Sequence, residues 1–426
     1  MFSFFNNKSS TKKRVYLDNA GATDMLRSAQ AELVRLLGVY GNPSAIHKEG
    51  AVASTTLDSA RAKIATILNA HAYETSFVGS GTESCNLAVL GTYEAWSKQQ
   101  TANSKQQIPH IITSSIEHPA VLEPIKYLEK QNKITVTYLP VYDTGVVKVS
   151  DLRDALTEDT ILVSIMFANN EIGTLQPVKE IGRVISEWKT SVGRDHMSYP
   201  YFHTDACQAG NYLSLDVLRL KCHLMSINAS KVYGPKGIGA LYKREGVMLA
   251  PISYGGGQER GLKSGTEPVA LASAFATALT EVQKDKEIEG ERLRMLRDTF
   301  KNKLTQAIPE VEFYGIFDEH QPQVKGYKLK SMHRLPNNLN FRIPGISSEE
   351  MILRLDAKGF AVSHKSACAS AEDDGSYVIM SLGATETEAK ENIRVTLGRF
   401  TTDNDMTALL HAIIDIVKKY RNTNNQ

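Results

Sequence analysis

Short apolar runs alternate with longer amphipathic segments along the chain between about residues 55 and 280. The apolar runs are rich in β-branched and aromatic residues and end at small or polar residues, a pattern typical of strands. Residues 161–167 (ILVSIMF) are apolar almost throughout, as expected for a central strand covered on both faces. The alternation predicts an α/β fold with a mostly parallel sheet. The predicted strands are residues 75–79, 110–113, 134–139, 161–167, 201–205 and 224–228.

A different pattern follows in the charged segment from residue 280 to residue 308. Its apolar residues recur at helical spacing and predict a long helix that leads into a second domain: they are Leu293, Leu296, Phe300 and Leu304. The length of 426 residues with 42% hydrophobic composition also favours two domains, because single cores seldom grow so large. Two polar segments, residues 97–107 and 317–333, are predicted to be surface insertions.

Charge and cysteine content exclude several classes of protein. Forty-nine basic residues balance 47 acidic ones, and no long block of one sign occurs, which argues against nucleic acid or a membrane as the main partner. The four cysteines are too scattered for a disulfide framework or a zinc site of the CxxC kind. Polar residues interrupt the apolar start before a signal-peptide core could form. We therefore expect a cytoplasmic protein with free thiols and no metal site.

Residues 75–90 (TSFVGSGTESCNLAVL) predict a strand that ends at Gly79, a loop of small residues and a helix that opens near Glu83. Free backbone amides, the positive helix end and the Thr82 hydroxyl are suited to binding a phosphate group. The alternative is an ordinary strand–helix turn that is capped by Thr82.

Two further segments place polar side chains where apolar strands end. Asp205, in HTDACQ, lies at a carboxyl end of the predicted sheet, where ligands of α/β proteins gather, and an aspartate there can keep a pyridine nitrogen protonated. The alternative is a helix cap. Lys231 precedes a glycine-rich turn, and a desolvated lysine amine is a nucleophile for carbonyl groups. The alternative for Lys231 is a solvated surface charge.

Three more side chains each allow a functional and a structural interpretation. His118 in EHPAV could stack on a ring or move a proton, or be a buried structural histidine. Asn170 in NNEIG could bond a phenolic oxygen, or belong to a polar turn. Cys368 lies in a small, polar segment with His364 and Lys365 close by, where positive charge lowers the pKa of a thiol. A structural role for Cys368 is the alternative.

Taken together, these segments resemble the cysteine desulfurases of the class V aminotransferase family. The resemblance covers residues 15–403, and the motifs occur in the family's order: they are YLDNAGAT, GNPSAIHKEG, GSGTESCN, EHPAV, NNEIG, HTDACQ, KVYGPKGIG, GGGQERGLKSGTE, LPNNLN, SACAS and IRVTLGRFTT. It implies an aspartate-aminotransferase-like fold of type I with a seven-stranded, mostly parallel sheet. The large domain is then residues 31–280, and a smaller α+β domain with the catalytic cysteine combines residues 1–30 and 281–426.

The resemblance also implies pyridoxal 5'-phosphate as cofactor and a role for each matching residue. Lys231 corresponds to the lysine that holds the cofactor covalently, and His118 to the histidine that stacks on its ring. Arg394 corresponds to the arginine that grips the substrate carboxylate, a task that suits its two-pronged donor geometry, with Asn170 beside it. Cys368 corresponds to the sulfur acceptor, in a segment of the long form found in one subgroup. The remaining residues that the resemblance assigns to cofactor binding are Thr82, Asn170, Asp205, Gln208, Asn228, Ser230 and, from the other subunit of a homodimer, Thr266.

The chain departs from the family pattern at several of these motifs. Asn228 and Ser230 stand where a Ser-x-His sequence is usual before the lysine, so two phosphate contacts differ. Lys263 replaces an arginine, and Gly21 replaces an alanine in the DNAAT motif. We expect these changes to affect cofactor affinity and rate more than the type of reaction.

The activity implied by the resemblance is conversion of L-cysteine to L-alanine with transfer of sulfur to Cys368 as a persulfide. Lys231 or His118 would move the proton of the substrate α-carbon. Sulfur-acceptor proteins, such as an iron–sulfur scaffold, or tRNA thiolation would be the destination. Two alternatives stay open at this point: another class V pyridoxal enzyme, such as a transaminase or selenocysteine lyase, and a non-catalytic scaffold subunit.

Overall fold

A computed structural model of the chain describes residues 14–100, 107–317, 333–364 and 375–424. Cys368 and most of the two predicted polar insertions lie outside the described residues. Within these ranges, no helix is long and apolar enough to cross a membrane.

The strands follow one another through the whole length of the chain. In chain order they are β1 (Val15–Tyr16), β2 (Thr75–Val78), β3 (His110–Ser114), β4 (Thr135–Leu139), β5 (Thr160–Ser164), β6 (Tyr201–Asp205), β7 (Leu224–Asn228), β8 (Gly239–Lys243), β9 (Glu312–Tyr314), β10 (Asn338–Arg342), β11 (Phe360–Ala361) and β12 (Asn392–Thr396).

The helices lie between these strands. In chain order they are α1 (Arg27–Leu36), α2 (Lys48–Leu68), α3 (Gly81–Gln99), α4 (Pro119–Lys130), α5 (Val149–Ala155), α6 (Val178–Ser191), α7 (Val217–Leu220), α8 (Val269–Ala307), α9 (Ser348–Ala357), α10 (Tyr377–Ser381), α11 (Glu386–Ala389) and α12 (Asp403–Asn424).

Seven strands form the large sheet, in the order β2-β8-β7-β6-β5-β3-β4. Only β8 runs against its neighbours, since its pairings with β2 and β7 are antiparallel and the other pairings are parallel. Strands β2, β3, β5, β6 and β7 are buried at every position or nearly so, which explains their apolar sequences. The predicted α/β fold with a mostly parallel seven-stranded sheet is confirmed.

All six predicted strands are present, with small differences at their ends. β5 is shorter than the predicted strand because regular pairing ends at Ser164, although Ile165 and Phe167 still donate backbone hydrogen bonds to β6 carbonyls. α3 begins at Gly81, two residues before the predicted start. Its cap is Ser80, whose hydroxyl accepts a hydrogen bond from the Glu83 amide, so the alternative in which Thr82 caps this helix is wrong.

The second sheet has three antiparallel strands in the order β12-β10-β9, with its own apolar core. The predicted long helix is α8, which has 39 residues and packs against α1 and α2 near one end and α12 near the other. The predicted domain boundary between residues 280 and 281 falls inside this helix, and the division into two domains at that point stays a prediction.

The N-terminal segment joins the second half of the chain. Strand β1 pairs in parallel with β11, and Asp18 continues this contact by bridging to Thr396 on β12. The next residues turn towards the large sheet, where Thr23 donates its backbone amide to the Ser230 carbonyl. Residues 18–23 therefore lie where the two sheets approach each other.

Candidate active site

One pocket gathers most of the predicted site residues at the carboxyl ends of the parallel strands. This is the edge at which α/β sheets bind their ligands. The predicted residues that line it are Thr82, His118, Asn170, Asp205, Gln208, Asn228, Lys231 and Arg394. They lie at the ends of β6 and β7, in the segments that follow β2, β3, β5, β6 and β7, and on β12, so the fold assembles them from across the chain.

The start of α3 forms one end of the pocket. Gly81 packs so closely against the loop after β6 that a Cβ atom on it would lie 2.7 Å from Cys207 Sγ and 3.1 Å from Asn228 Cβ. Only glycine therefore lets α3 begin here without moving its neighbours. The first turn of α3 presents backbone amides and the positive end of the helix to the pocket beside Thr82.

Lys231 ends a short 3₁₀ turn that follows β7. Its amine donates hydrogen bonds to the carbonyl oxygen of Ala20, at 2.8 Å, and to that of Gly21. Burial lowers the pKa of Lys231 below its ordinary value, and the positive charge of Arg394 acts in the same direction. A larger fraction of this lysine is therefore an uncharged nucleophile at neutral pH than of a surface lysine.

Asp205 ends β6, and its carboxylate faces the same pocket. Oδ1 accepts a hydrogen bond of 2.9 Å from the backbone amide of Cys207, which fixes the side chain relative to the strand end. On the same strand face, His203 bonds Ser164 and Ser226 and is fully buried. Asp205 therefore lies at the pocket, whereas His203 lies within the sheet.

His118 caps the N-terminus of α4. Its Nδ1 accepts a hydrogen bond of 3.1 Å from the Ala120 amide, so Nδ1 carries no proton in this arrangement and Nε2 does when the ring is neutral. Burial lowers the pKa of His118, and the charge of Lys231 adds to this effect, whereas Asp205 opposes it. The ring is consequently a neutral imidazole at pH 7.

Arg394, on β12, approaches the pocket from the second sheet with only 1% of its surface exposed. Nη1 donates to the Asn170 carbonyl at 3.0 Å, and Nη2 forms an ion pair with Asp18 at 2.7 Å. Its Nε is buried without a hydrogen-bond partner among the described residues. An unsatisfied buried donor of a charged group is costly, and a ligand carboxylate would satisfy it.

Comparison with known proteins agrees with this geometry. The family model described as "Aminotransferase class-V" matches residues 15–409. The chain is 40% identical over 414 residues to the cysteine desulfurase IscS of Dictyoglomus turgidum, with 96% of each chain covered. The chain belongs to the cysteine desulfurases of the class-V aminotransferase family.

Other relatives extend the comparison to archaea and to solved structures. The cysteine desulfurase IscS of Methanosarcina thermophila is 38% identical over 421 residues, which cover 98% of this chain and 95% of that one. A solved structure described as a NifS-like protein superposes with a TM-score of 0.82 at 30% identity, covering 95% of this chain and 99% of the other. The structure of SspA in complex with cysteine gives a TM-score of 0.72 at 28% identity, covering 91% of this chain and 100% of that one.

Two described residues that the resemblance to this desulfurase family singled out, Ser230 and Thr266, are not among the pocket residues. Ser230 is half-buried, and its backbone amide donates to Asn228 Oδ1 while its carbonyl accepts from Thr23. Thr266 is exposed in the segment between β8 and α8. Cys368 lies outside the described residues. Their functional roles stay predictions.

Two residues that line or border the pocket escaped the sequence analysis of this desulfurase. Asp18 pairs with Arg394, although it precedes that arginine by 376 positions. Cys207 lines the pocket between Asp205 and Gln208. Burial and the charge of Asp205 raise the pKa of the Cys207 thiol, so it stays protonated. The motifs DNAG and HTDACQ contain both residues, but only the packing shows what they contact.

The pocket suits the cofactor of the desulfurase family chemically. Thr82, Asn228 and the amides of α3 are donors for a phosphate, and Asp205 offers a carboxylate for a ring N–H. His118 presents a flat, uncharged ring, and Lys231 supplies a buried amine. Gln208 shares the Ala20 carbonyl with Lys231, at 3.0 Å, and so belongs to the same hydrogen-bonded group.

Proposed function

We propose that the protein is a pyridoxal-phosphate-dependent cysteine desulfurase that takes sulfur from free L-cysteine onto Cys368. The observation that carries this proposal is the convergence in one pocket of a buried amine on Lys231, a carboxylate on Asp205 and a half-satisfied guanidinium on Arg394. A free amino acid presents a carboxylate, which Arg394 can bind, and an acidic α-proton, which the Lys231 amine can accept.

When bound, pyridoxal phosphate supplies an electron sink for the pair left on the substrate α-carbon. Asp205 would hold a proton on the ring nitrogen of the bound cofactor. Arg394 binds the substrate carboxylate through its unpaired Nε, which fixes the orientation of the α-carbon. Lys231, whose lowered pKa favours the free amine, is positioned to hold the α-proton, and neutral His118 with its proton on Nε2 is the second candidate.

The sulfur step balances without an external oxidant. The Cys368 thiolate attacks the sulfur of the substrate, so an S–S bond forms as the carbon–sulfur bond of cysteine breaks. The electron pair of that bond stays with the carbon fragment, which takes up protons and leaves as L-alanine. The enzyme then carries a persulfide, which is passed to an acceptor protein for iron–sulfur cluster assembly or tRNA thiolation.

A homodimer is part of the proposal. Thr266 is exposed on this chain, in the same segment as Tyr254, which is 78% exposed. Thr266 would then reach the phosphate of the partner subunit. The cytoplasmic location predicted from the sequence stays a prediction.

The test is to purify the protein, record its visible absorption and measure alanine and sulfide released from L-cysteine. Lys231→Ala should lose both the covalently held cofactor and the activity. Lys236→Ala is the matched control, because Lys236 lies in the same glycine-rich turn but is exposed. If borohydride reduction attaches the cofactor to another lysine, or if the wild-type protein forms no alanine, the proposal is wrong.

A further inference from the structure

The turn that carries the DNAG sequence contacts both basic side chains that act on the proposed substrate, Lys231 and Arg394. The Asp18 carboxylate lies 2.7 Å from Arg394 Nη2. Two residues later, the carbonyls of Ala20 and Gly21 accept the hydrogen bonds of the Lys231 amine. One short turn therefore presents a carboxylate to the arginine and oxygen acceptors to the lysine.

The pairing of Asp18 with Arg394 uses only part of the guanidinium. Nε and Nη2 form the edge on which a carboxylate binds in bidentate fashion. Asp18 contacts Nη2, while Nε is without a partner among the described residues. A substrate carboxylate that takes Nε must either share Nη2 with Asp18 or displace it.

The Asp18 carboxylate can occupy this position because residue 21 is a glycine, which has no side chain. A Cβ atom on Gly21 would overlap Asp18 Oδ2 and lie 3.0 Å from Asp18 Cγ. Real Cβ atoms do not approach a carboxylate so closely, so an alanine at this position would push the Asp18 side chain away from Arg394. The departure of Gly21 from the family's DNAAT pattern thus has a local structural effect.

We propose that Asp18, admitted by Gly21, is an internal competitor of the substrate carboxylate at Arg394. The inference rests on the proposed function. Asp18 holds Arg394 in place between turnovers, weakens the binding of any ligand that brings a carboxylate, and favours release of the L-alanine product. Asp18 acts through Arg394 and is therefore a positioning residue.

Two variants with different chemistry test the proposal. Asp18→Asn keeps the shape and removes the charge, whereas Gly21→Ala keeps the charge and displaces it. Both should lower the KM for L-cysteine about tenfold, the effect expected when one charged hydrogen bond no longer competes. Both should also lower the dissociation constant of L-alanine, measured by isothermal titration calorimetry on the holoenzyme, by a similar factor.

Asp24→Asn is the matched control, because Asp24 is an exposed aspartate of the same segment and should leave both constants unchanged. If Asp18 only orients Arg394, the Asp18→Asn and Gly21→Ala variants will bind L-alanine more weakly, and the inference is overturned. If both variants bind L-alanine as tightly as the wild type does, the inference is overturned as well. Failure of the proposed function would be seen separately, as a wild-type holoenzyme that neither binds L-alanine nor consumes L-cysteine.

Discussion

The phenolic hydroxyl of Tyr377 donates a hydrogen bond of 2.5 Å to the backbone carbonyl of Glu117, the residue before His118. The preceding residue, Ser376, donates its hydroxyl at 2.5 Å to the carboxylate of Glu171, which follows Asn170. Ser376 and Tyr377 are thus hydrogen-bonded to Glu171 and Glu117, and these two glutamates adjoin the pocket residues Asn170 and His118 in the sequence. These contacts therefore fix the position of the described chain that follows Cys368, the proposed sulfur acceptor, beside the pocket.

We expect Tyr377→Phe to slow persulfide formation on Cys368 several-fold, because the variant loses one hydrogen bond worth about 1 kcal/mol. Cofactor content and the KM for L-cysteine should stay at wild-type values, since Tyr377 is not a pocket residue. The rate of persulfide formation is measured in a single turnover, by labelling the persulfide and detecting it by mass spectrometry. Tyr73→Phe, which removes a hydroxyl bonded to Glu245 at the surface, is the control. An equal loss of cofactor in Tyr377→Phe would mean that Tyr377 supports the fold in general.

Glu117 should make the stability of the protein fall with rising pH. Burial raises the pKa of this carboxyl group to about 8, and Oε2 has no hydrogen-bond partner among the described residues. The folded state therefore keeps the proton at pH values at which the unfolded state has lost it. The destabilisation begins near the ordinary pKa of a glutamate, grows by about 1.4 kcal/mol per pH unit and levels off above the folded pKa.

Glu117→Gln should remove this slope, because the amide stays neutral while its oxygen still accepts from Ser114 and from the Met166 amide. Urea unfolding at pH 5.5 and pH 8, followed by tryptophan fluorescence, compares the variant with the wild type. The expected result is a variant that gains stability relative to the wild type at pH 8. Glu123→Gln, an exposed change on α4, the helix that follows Glu117 in the chain, should behave as wild type. Parallel slopes for Glu117→Gln and wild type would show that the carboxyl group is ionised in the fold.

Cys368 should be the only cysteine that carries sulfur, although Cys207 lines the pocket. Burial keeps the Cys207 thiol protonated, and a protonated thiol is a poor nucleophile. Cys85 and Cys222 are fully buried. Cys368→Ala should bind cofactor and L-cysteine but form no persulfide, whereas Cys207→Ala should form it at the wild-type rate. Persulfide on Cys207 in the Cys368→Ala protein, at wild-type levels, would contradict this prediction.

Ser230→His should tighten cofactor binding. A histidine there would add a charge-assisted hydrogen bond to the phosphate, worth about 1 kcal/mol more than a neutral bond and hence several-fold in the dissociation constant. Equilibrium dialysis, carried out after the cofactor has been released from Lys231, measures the dissociation constant of the cofactor. Ser230→Asn, which adds bulk without charge, is the control. Unchanged binding in Ser230→His would mean that Asn228 and α3 already complete the phosphate site.

The sequence predicted the elements of the large sheet well, because its strands are buried on both faces and their apolar runs are unmistakable. It also predicted that Lys231, Asp205 and His118 converge, since each follows a strand of the same sheet. The start of α3 was less predictable. Ser80, Gly81 and Thr82 are all small residues, and only the backbone shows which of them caps the helix.

Contacts between distant segments could not be predicted in the same way. Nothing in the local pattern around Asp18 indicates Arg394, and nothing around Tyr377 indicates the Glu117 carbonyl. Such pairs depend on how the second sheet packs against the first, and a periodic pattern within one segment contains no information about that packing. Closeness in the sequence can also mislead: Ser230 does not line the pocket, although Asn228 and Lys231 on either side of it do.

The ion pair between Asp18 and Arg394 also bears on how the protein is made. The two residues are 376 positions apart, and both border the pocket that Lys231 enters from the middle of the chain. Closing so long a loop is among the last steps that a folding chain can complete. A nascent polypeptide still on the ribosome contains the strands of the large sheet, but Arg394, the proposed ligand of the substrate carboxylate, can join the pocket only after β12 has emerged and met the N-terminal turn. The carboxylate-binding part of the proposed site is therefore completed only when nearly the whole chain has been made.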